Sequence, residues 1–184
     1  MRKIDVNHLK IYIVIELVVV SILCYILHFA FEKSGNSIAL ASLVNVNESV
    51  WEHLKLPTTS FILFALATYI VNRKIENYNV ALCIKIIMCM ILIPLIYYCF
   101  KMLGYENRLV NVASLYISVI IAEIYEYYII TRGVLDKKYN STAIIIILII
   151  QILFVIFTFH PLKLDIFRDS RYNSYGIIKN KEEL

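Results

Sequence analysis

The stretch Asn45-Val46-Asn47-Glu48-Ser49-Val50-Trp51-Glu52-His53-Leu54-Lys55 gathers two carboxylates, an imidazole, an ammonium and two side-chain amides ahead of an apolar run. Carboxylates and imidazoles are metal ligands and general acid–base groups. Glu48, Glu52 and His53 are therefore the candidate catalytic residues. Glu48 and His53, with His28 upstream, are the candidate ligands for zinc or another divalent metal. The Glu48-to-His53 spacing is not a known zinc signature, and His-Glu-x-x-His is absent. As a ligand-binding surface the same stretch offers Asn47, Glu48, Trp51, Glu52, His53 and Lys55, with Asp169 as a candidate contribution from the C-terminal tail. Polar groups at membrane depth are costly and tend to be functional.

A helix positions these groups. Asn45 or Asn47 is the expected N-cap, and Asn45 with Glu48 three residues on approximates a capping box. At about 100° per residue, Glu48, Glu52, Lys55 and Thr59 fall at azimuths of roughly 0°, 40°, 340° and 20°. They form one stripe, in which Lys55 can neutralise one of two like-charged carboxylates. Ser49 and His53 form a second stripe. A purely structural role accounts for the same residues: a capped N-terminus with acids suited to the helix dipole and Trp51 as an interfacial aromatic.

Further charges interrupt other apolar runs. Glu123 and Glu126 lie within roughly 60° of each other on a helix face beside Tyr127, and Glu16 and Lys85 sit at comparable depth. They read as interfacial side chains, as a buried Glu–Lys bundle lock, or as an inner polar site or proton relay. Cys24, Cys83, Cys89 and Cys99 form no CxxC pair and read as buried small hydrophobes.

The elements that carry these groups are long and apolar. Of 184 residues, 60% are hydrophobic and 17% charged, with a mean hydropathy of +0.73, against about 45–50% apolar and about 25% charged in a soluble domain. The expected architecture is an all-α, polytopic transmembrane helical bundle of about five spans, at 9–31, 46–71, 80–103, 109–130 and 141–159. A polar tail, 161–184, follows as a candidate lid on the outer face. Phe167 and Ile177 are its expected anchors, and Asp169 or His160 its reach toward the Glu48–His53 cluster. The segment Ile38–Val44 is too short to cross and is either interfacial or re-entrant. Arg2, Lys3, Lys10, Arg73, Lys74, Arg132, Lys137 and Lys138 fall on one side of such a bundle. Lys33, Lys101 and Arg108 fall in the short loops of the other. The positive-inside rule then puts the N-terminus in the cytoplasm and the C-terminus outside. The tail's Lys163, Arg168, Arg171, Lys179 and Lys181 weigh against that assignment. No basic stripe with interleaved aromatics suggests nucleic-acid binding.

The Ser34-Gly35 turn, the block from Val46 to Lys55, and the tail signature Phe167-Arg168-Asp169 … Tyr175-Gly176-Ile177 resemble an uncharacterised family of small multi-spanning membrane proteins from clostridia-like Gram-positive bacteria. The resemblance implies a location and a site but no activity. The leading expectation is an integral cell-membrane protein, with a transport-associated role as one form of it, holding a small polar ligand or lipid headgroup at the outer cluster. The alternatives are a membrane-embedded, metal-dependent hydrolase or transferase acting on lipid, and a structural or assembly protein.

Overall fold

The computed structural model describes residues 6–105, 108–133 and 136–178. Arg2, Lys3, Lys179 and Lys181 lie outside them. The described chain is an all-α bundle of α1 (Val6–Lys33), α2 (Ile38–Ala41), α3 (Val50–Ala67), α4 (Tyr69–Asn72), α5 (Tyr78–Met102), α6 (Arg108–Arg132) and α7 (Asn140–Phe159). A 3-10 turn, Asp165–Phe167, begins the tail. Four stretches, Asn7–Lys33, Tyr78–Met102, Leu109–Arg132 and Lys137–Phe159, are long and apolar enough to cross a membrane.

The fifth long helix, α3, differs in character. It packs against α1, α5 and α6, and residues 52–61 are buried without interruption. A helix covered all round needs no polar outer face. Its polar residues therefore point into the bundle, where each must find a partner. The outer helices are the reverse. Ile11, Val14, Ile15, Val18 and Ile22 of α1 are exposed, as are Ile144, Ile145, Leu148, Ile149 and Ile152 of α7.

The start of α3 departs from the sequence expectation. Ser49, not Asn45 or Asn47, is the N-cap, and its side chain accepts from the Glu52 backbone N–H. Ser49-x-x-Glu52 has the capping-box pattern too, but the Glu52 carboxylate reaches past the cap to the Val46 N–H at 3.0 Å. Asn47 Oδ1 takes the Ser49 N–H at 2.8 Å. Glu48 therefore precedes the helix, and its place in the predicted stripe is lost.

The Ile38–Val44 segment forms the short α2 and a loop, with Ile38 and Leu43 exposed. Its carbonyls are satisfied from α3: Lys55 Nζ donates to Ala41 O and Thr59 Oγ1 to Leu43 O.

Candidate functional site

Glu48 is the centre of the polar end of the bundle. Its position outside the helix lets its carboxylate turn toward α1. His28 Nε2 stands 3.6 Å from Oε1, His53 Nε2 stands 3.7 Å from Oε2, and Arg171 Nη2 stands 3.6 Å from Oε1. These separations exceed ordinary hydrogen bonds. Three nitrogen-bearing groups thus converge on one carboxylate without closing on it. The two imidazole rings lie 5.5 Å apart, centroid to centroid.

The supporting contacts fix the imidazoles. His53 Nδ1 lies 2.8 Å from the Ser49 carbonyl. A carbonyl only accepts, so Nδ1 donates, and neutral His53 turns its Nε2 lone pair toward Glu48. Asn45 Nδ2 lies 3.2 Å from His28 Nδ1 and donates to it, which leaves the Nε2–H of neutral His28 facing Glu48.

The tail completes the site. Buried Asp169 accepts the Glu48 N–H on Oδ2 at 2.8 Å, and the N–H groups of Arg171 and Tyr172 on Oδ1, each at 2.7 Å. It ties the tail turn to the loop before α3 and aims Arg171 at Glu48. Asn47 Nδ2 donates to Gly176 O, and Ser170 Oγ donates to Glu48 O. A cavity of about 130 Å³ lies between these pieces, lined by His28, Asn45, Asn47, Glu48, Asp169 and Arg171, among others.

The chain matches a family of unknown function, DUF6512, over residues 1–177. It belongs to that family. No curated protein and no solved structure matches it. In this DUF6512 protein several residues of the stretches that carry the sequence resemblance join tail to bundle. Phe167 stacks on Trp51 with centroids 4.8 Å apart, Asp169 holds Glu48, and Gly176 receives Asn47.

The remaining sequence candidates lie elsewhere. Glu52 and Lys55 face away from the cavity and pair with each other at 2.5 Å, both buried. Lys55 also donates to Thr158 Oγ1 of α7 at 2.6 Å. Trp51 packs edge-on to Phe154 and Phe157 of α7 as well as on Phe167, so it is a packing residue within the bundle. His160 caps the C-terminus of α7, is exposed and does not line the cavity. Two contributors had no place in the sequence reading of the site: Arg171, which stood there only as tail charge, and Thr158. The single polar residue within the apolar run Ile152–Phe159 was the available signal for Thr158.

A second cluster lies toward the opposite end. Lys85 Nζ of α5 is bonded to Glu16 of α1, sits 2.5 Å from Glu126 Oε2 and 3.8 Å from Glu123 Oε1 of α6. All four side chains are essentially inaccessible. The buried Glu–Lys network is formed, and both glutamates of α6 lie inside the bundle.

Proposed function

We propose that this DUF6512 protein is a multi-pass membrane protein that binds a small polar ligand, with a phospholipid headgroup as the specific case, at the Glu48 cavity. The observation that carries this reading is the convergence of His28, His53 and Arg171 on the Glu48 carboxylate at distances too long for mutual satisfaction. A polar molecule placed between them completes hydrogen bonds that the protein leaves open. The charge pattern suits a ligand with both donors and an anionic group: Glu48 for the donors, Arg171 for the anion. Docked on Glu48, the tail acts as a lid on the outer face. Lys and Arg at the opposite loops support a cytoplasmic N-terminus and an outward-facing cavity.

The test uses the full chain purified in detergent. Native mass spectrometry with defined phospholipids, and calorimetric titration with the matching water-soluble glycerophosphodiesters, separate a lipid from a free ligand. Binding of at least one probe is expected, with loss in Glu48→Ala and His53→Ala. A folded Glu48→Ala/His53→Ala protein that binds every probe as wild type does would overturn the reading.

One observation favours a second reading. An imidazole that donates Nδ1–H to a carbonyl and presents its Nε2 lone pair beside a carboxylate has the tautomer and support of a metal ligand. His53 and Glu48, joined by His28 after reorientation of the Asn45 amide, would hold zinc or another divalent ion. Such a centre would favour a lipid-directed hydrolase or transferase. Elemental analysis decides: stoichiometric metal lost in His53→Ala supports this reading, and a metal-free protein rejects it.

A further inference from the structure

The Glu16–Lys85–Glu123–Glu126 cluster is unbalanced. Among the described residues, the ion pairs of its three carboxylates all run to Lys85. One ammonium cannot neutralise three carboxylates, and uncompensated charge in an apolar bundle is strongly disfavoured. The position a small cation would take is already filled by the Lys85 ammonium, which also sits over the Phe61 ring at 4.5 Å. The surplus charge is therefore most simply removed by protons.

The hydrogen bonding agrees. Neither carboxyl oxygen of Glu123 has a hydrogen-bond partner, although the residue is 1% exposed. Glu16 Oε2 and Glu126 Oε1 are likewise orphaned. Such buried oxygens call for an explanation, and a carboxylic O–H shared between neighbouring acids supplies donors where only acceptors stand.

A string of hydroxyl groups begins one helical turn from Glu16. Tyr12 lies one turn before Glu16 on the same face of α1. Its hydroxyl donates to Asn72 Oδ1 at 2.7 Å and lies 3.2 Å from Thr68 Oγ1 and 3.4 Å from the Tyr78 hydroxyl. Asn72 and Tyr78 line a cavity of about 520 Å³ at the end of the bundle that carries Arg73, Glu76 and Asn140. Among the described residues, the titratable groups around the cluster are Tyr12, Glu16 and Cys24 from α1, Tyr78, Lys85 and Cys89 from α5, and Glu123 and Glu126 from α6. Among the described residues, α3 and α4 add the uncharged Ser60, Phe61, Thr68 and Asn72.

We propose that this cluster is a proton-binding site, holding a proton on Glu123 and exchanging it with water at the Arg73–Asn140 end through Tyr12 and Tyr78. The proton is taken from that water and returned to it, with no other reactant. Lys85 is the fixed counter-charge that keeps the loaded and unloaded states within reach of each other.

Infrared spectroscopy of the full chain reconstituted in lipid tests this. The expected result is a protonated-carboxyl C=O band at neutral pH that shifts in heavy water. The band should be lost or much reduced in Glu123→Gln, and its hydrogen–deuterium exchange should slow several-fold in Tyr12→Phe. Where Glu123→Gln does not fold, Tyr12→Phe, which leaves every carboxyl in place, carries the test alone. Absence of the band in wild type, exchange unchanged by Tyr12→Phe, persistence of the full band in folded Glu123→Gln, or a stoichiometric metal ion lost with Glu123 would each overturn the proposal.

Discussion

At the scale of single residues, the Glu52–Lys55 pair separates what this sequence reveals from what it hides. Residue types alone marked Glu48, Glu52, His53 and Lys55 as one polar group. The division between them depends on where α3 begins. Moving the cap to Ser49 places Glu48 in the loop, where it meets His28, His53 and Arg171. Glu52 and Lys55 remain in the helix and face α2 and α7. Several serine and asparagine residues compete to cap, and propensity alone does not choose among them. Lys55 is fully buried and satisfied by Glu52 at 2.5 Å, Thr158 Oγ1 at 2.6 Å and Ala41 O at 2.9 Å. Lys55→Met leaves the Glu52 carboxylate buried without its counter-charge and should cost about 3–5 kcal/mol. Lys55→Met/Glu52→Gln removes both charges and should recover most of that loss. Denaturant titration of the three proteins in one detergent checks the order. A single variant no less stable than the double would contradict the assignment of the pair as a clamp.

At the scale of elements, the tail is where sequence and structure agree most closely in side chains. Phe167 and Ile177 read as anchors from their apolar character. Phe167 is buried among Trp51 and Phe157, and Ile177 packs against the cluster of Phe31, Ala41, Val44 and Val46. The turn between them was not legible, because it depends on long-range hydrogen bonds such as Asp169 to the Glu48 N–H. Trp51 is the protein's only tryptophan, so its emission reports tail docking directly. Phe167→Ala should shift that emission to the red and, as a large-to-small change in a packed site, cost about 3 kcal/mol or more. Gly176 has φ +72°, and an added Cβ would come within 3.2 Å of Pro161 Cγ. Gly176→Ala should therefore loosen the same docking by at least about 1–2 kcal/mol. An unshifted Trp51 emission in both variants would show that the tail does not depend on these contacts. The tether also has a pH dependence. Burial pushes the Asp165 carboxyl up, but hydrogen bonds from Lys101 and Arg168 outweigh it and hold the group below the usual carboxylate range. A depressed carboxyl contributes stability above its unfolded value of about 3.9, and loses it as pH falls through the lower folded value. Trp51 emission should be flat from neutral pH down to about 4 as far as this group is concerned. Any change below that should be small, since the pair is exposed. It should be absent in Asp165→Asn.

At the scale of the whole molecule, the bundle is turned inside out relative to a water-soluble one. Its centre holds Glu16, Glu52, Lys55, Lys85, Glu123 and Glu126, while its α1 and α7 surfaces present rows of isoleucine, leucine and valine. A continuous apolar exterior of this kind is stable only when covered, and four helices have the length and hydropathy to cross a bilayer. This much is legible from hydropathy, because apolar length is a local property. The role of α3 is not, because its burial depends on three neighbours packing around it. That burial explains why a helix with a polar first half runs through the centre. Were α3 to cross alongside the four apolar helices, the number of crossings would be odd and the two polar clusters would lie toward opposite faces. Lys138 and Lys163 are both exposed and lie at opposite ends of α7, so they report sidedness across a single helix. In a background lacking the native cysteines, Lys138→Cys should react with a membrane-impermeant maleimide only after cells are opened, and Lys163→Cys in intact cells. The reverse pattern would invert the orientation and turn the Glu48 cavity toward the cytoplasm. Labelling of both positions from the same side would mean that α7 does not cross the membrane, and the bundle would need a different placement in the bilayer.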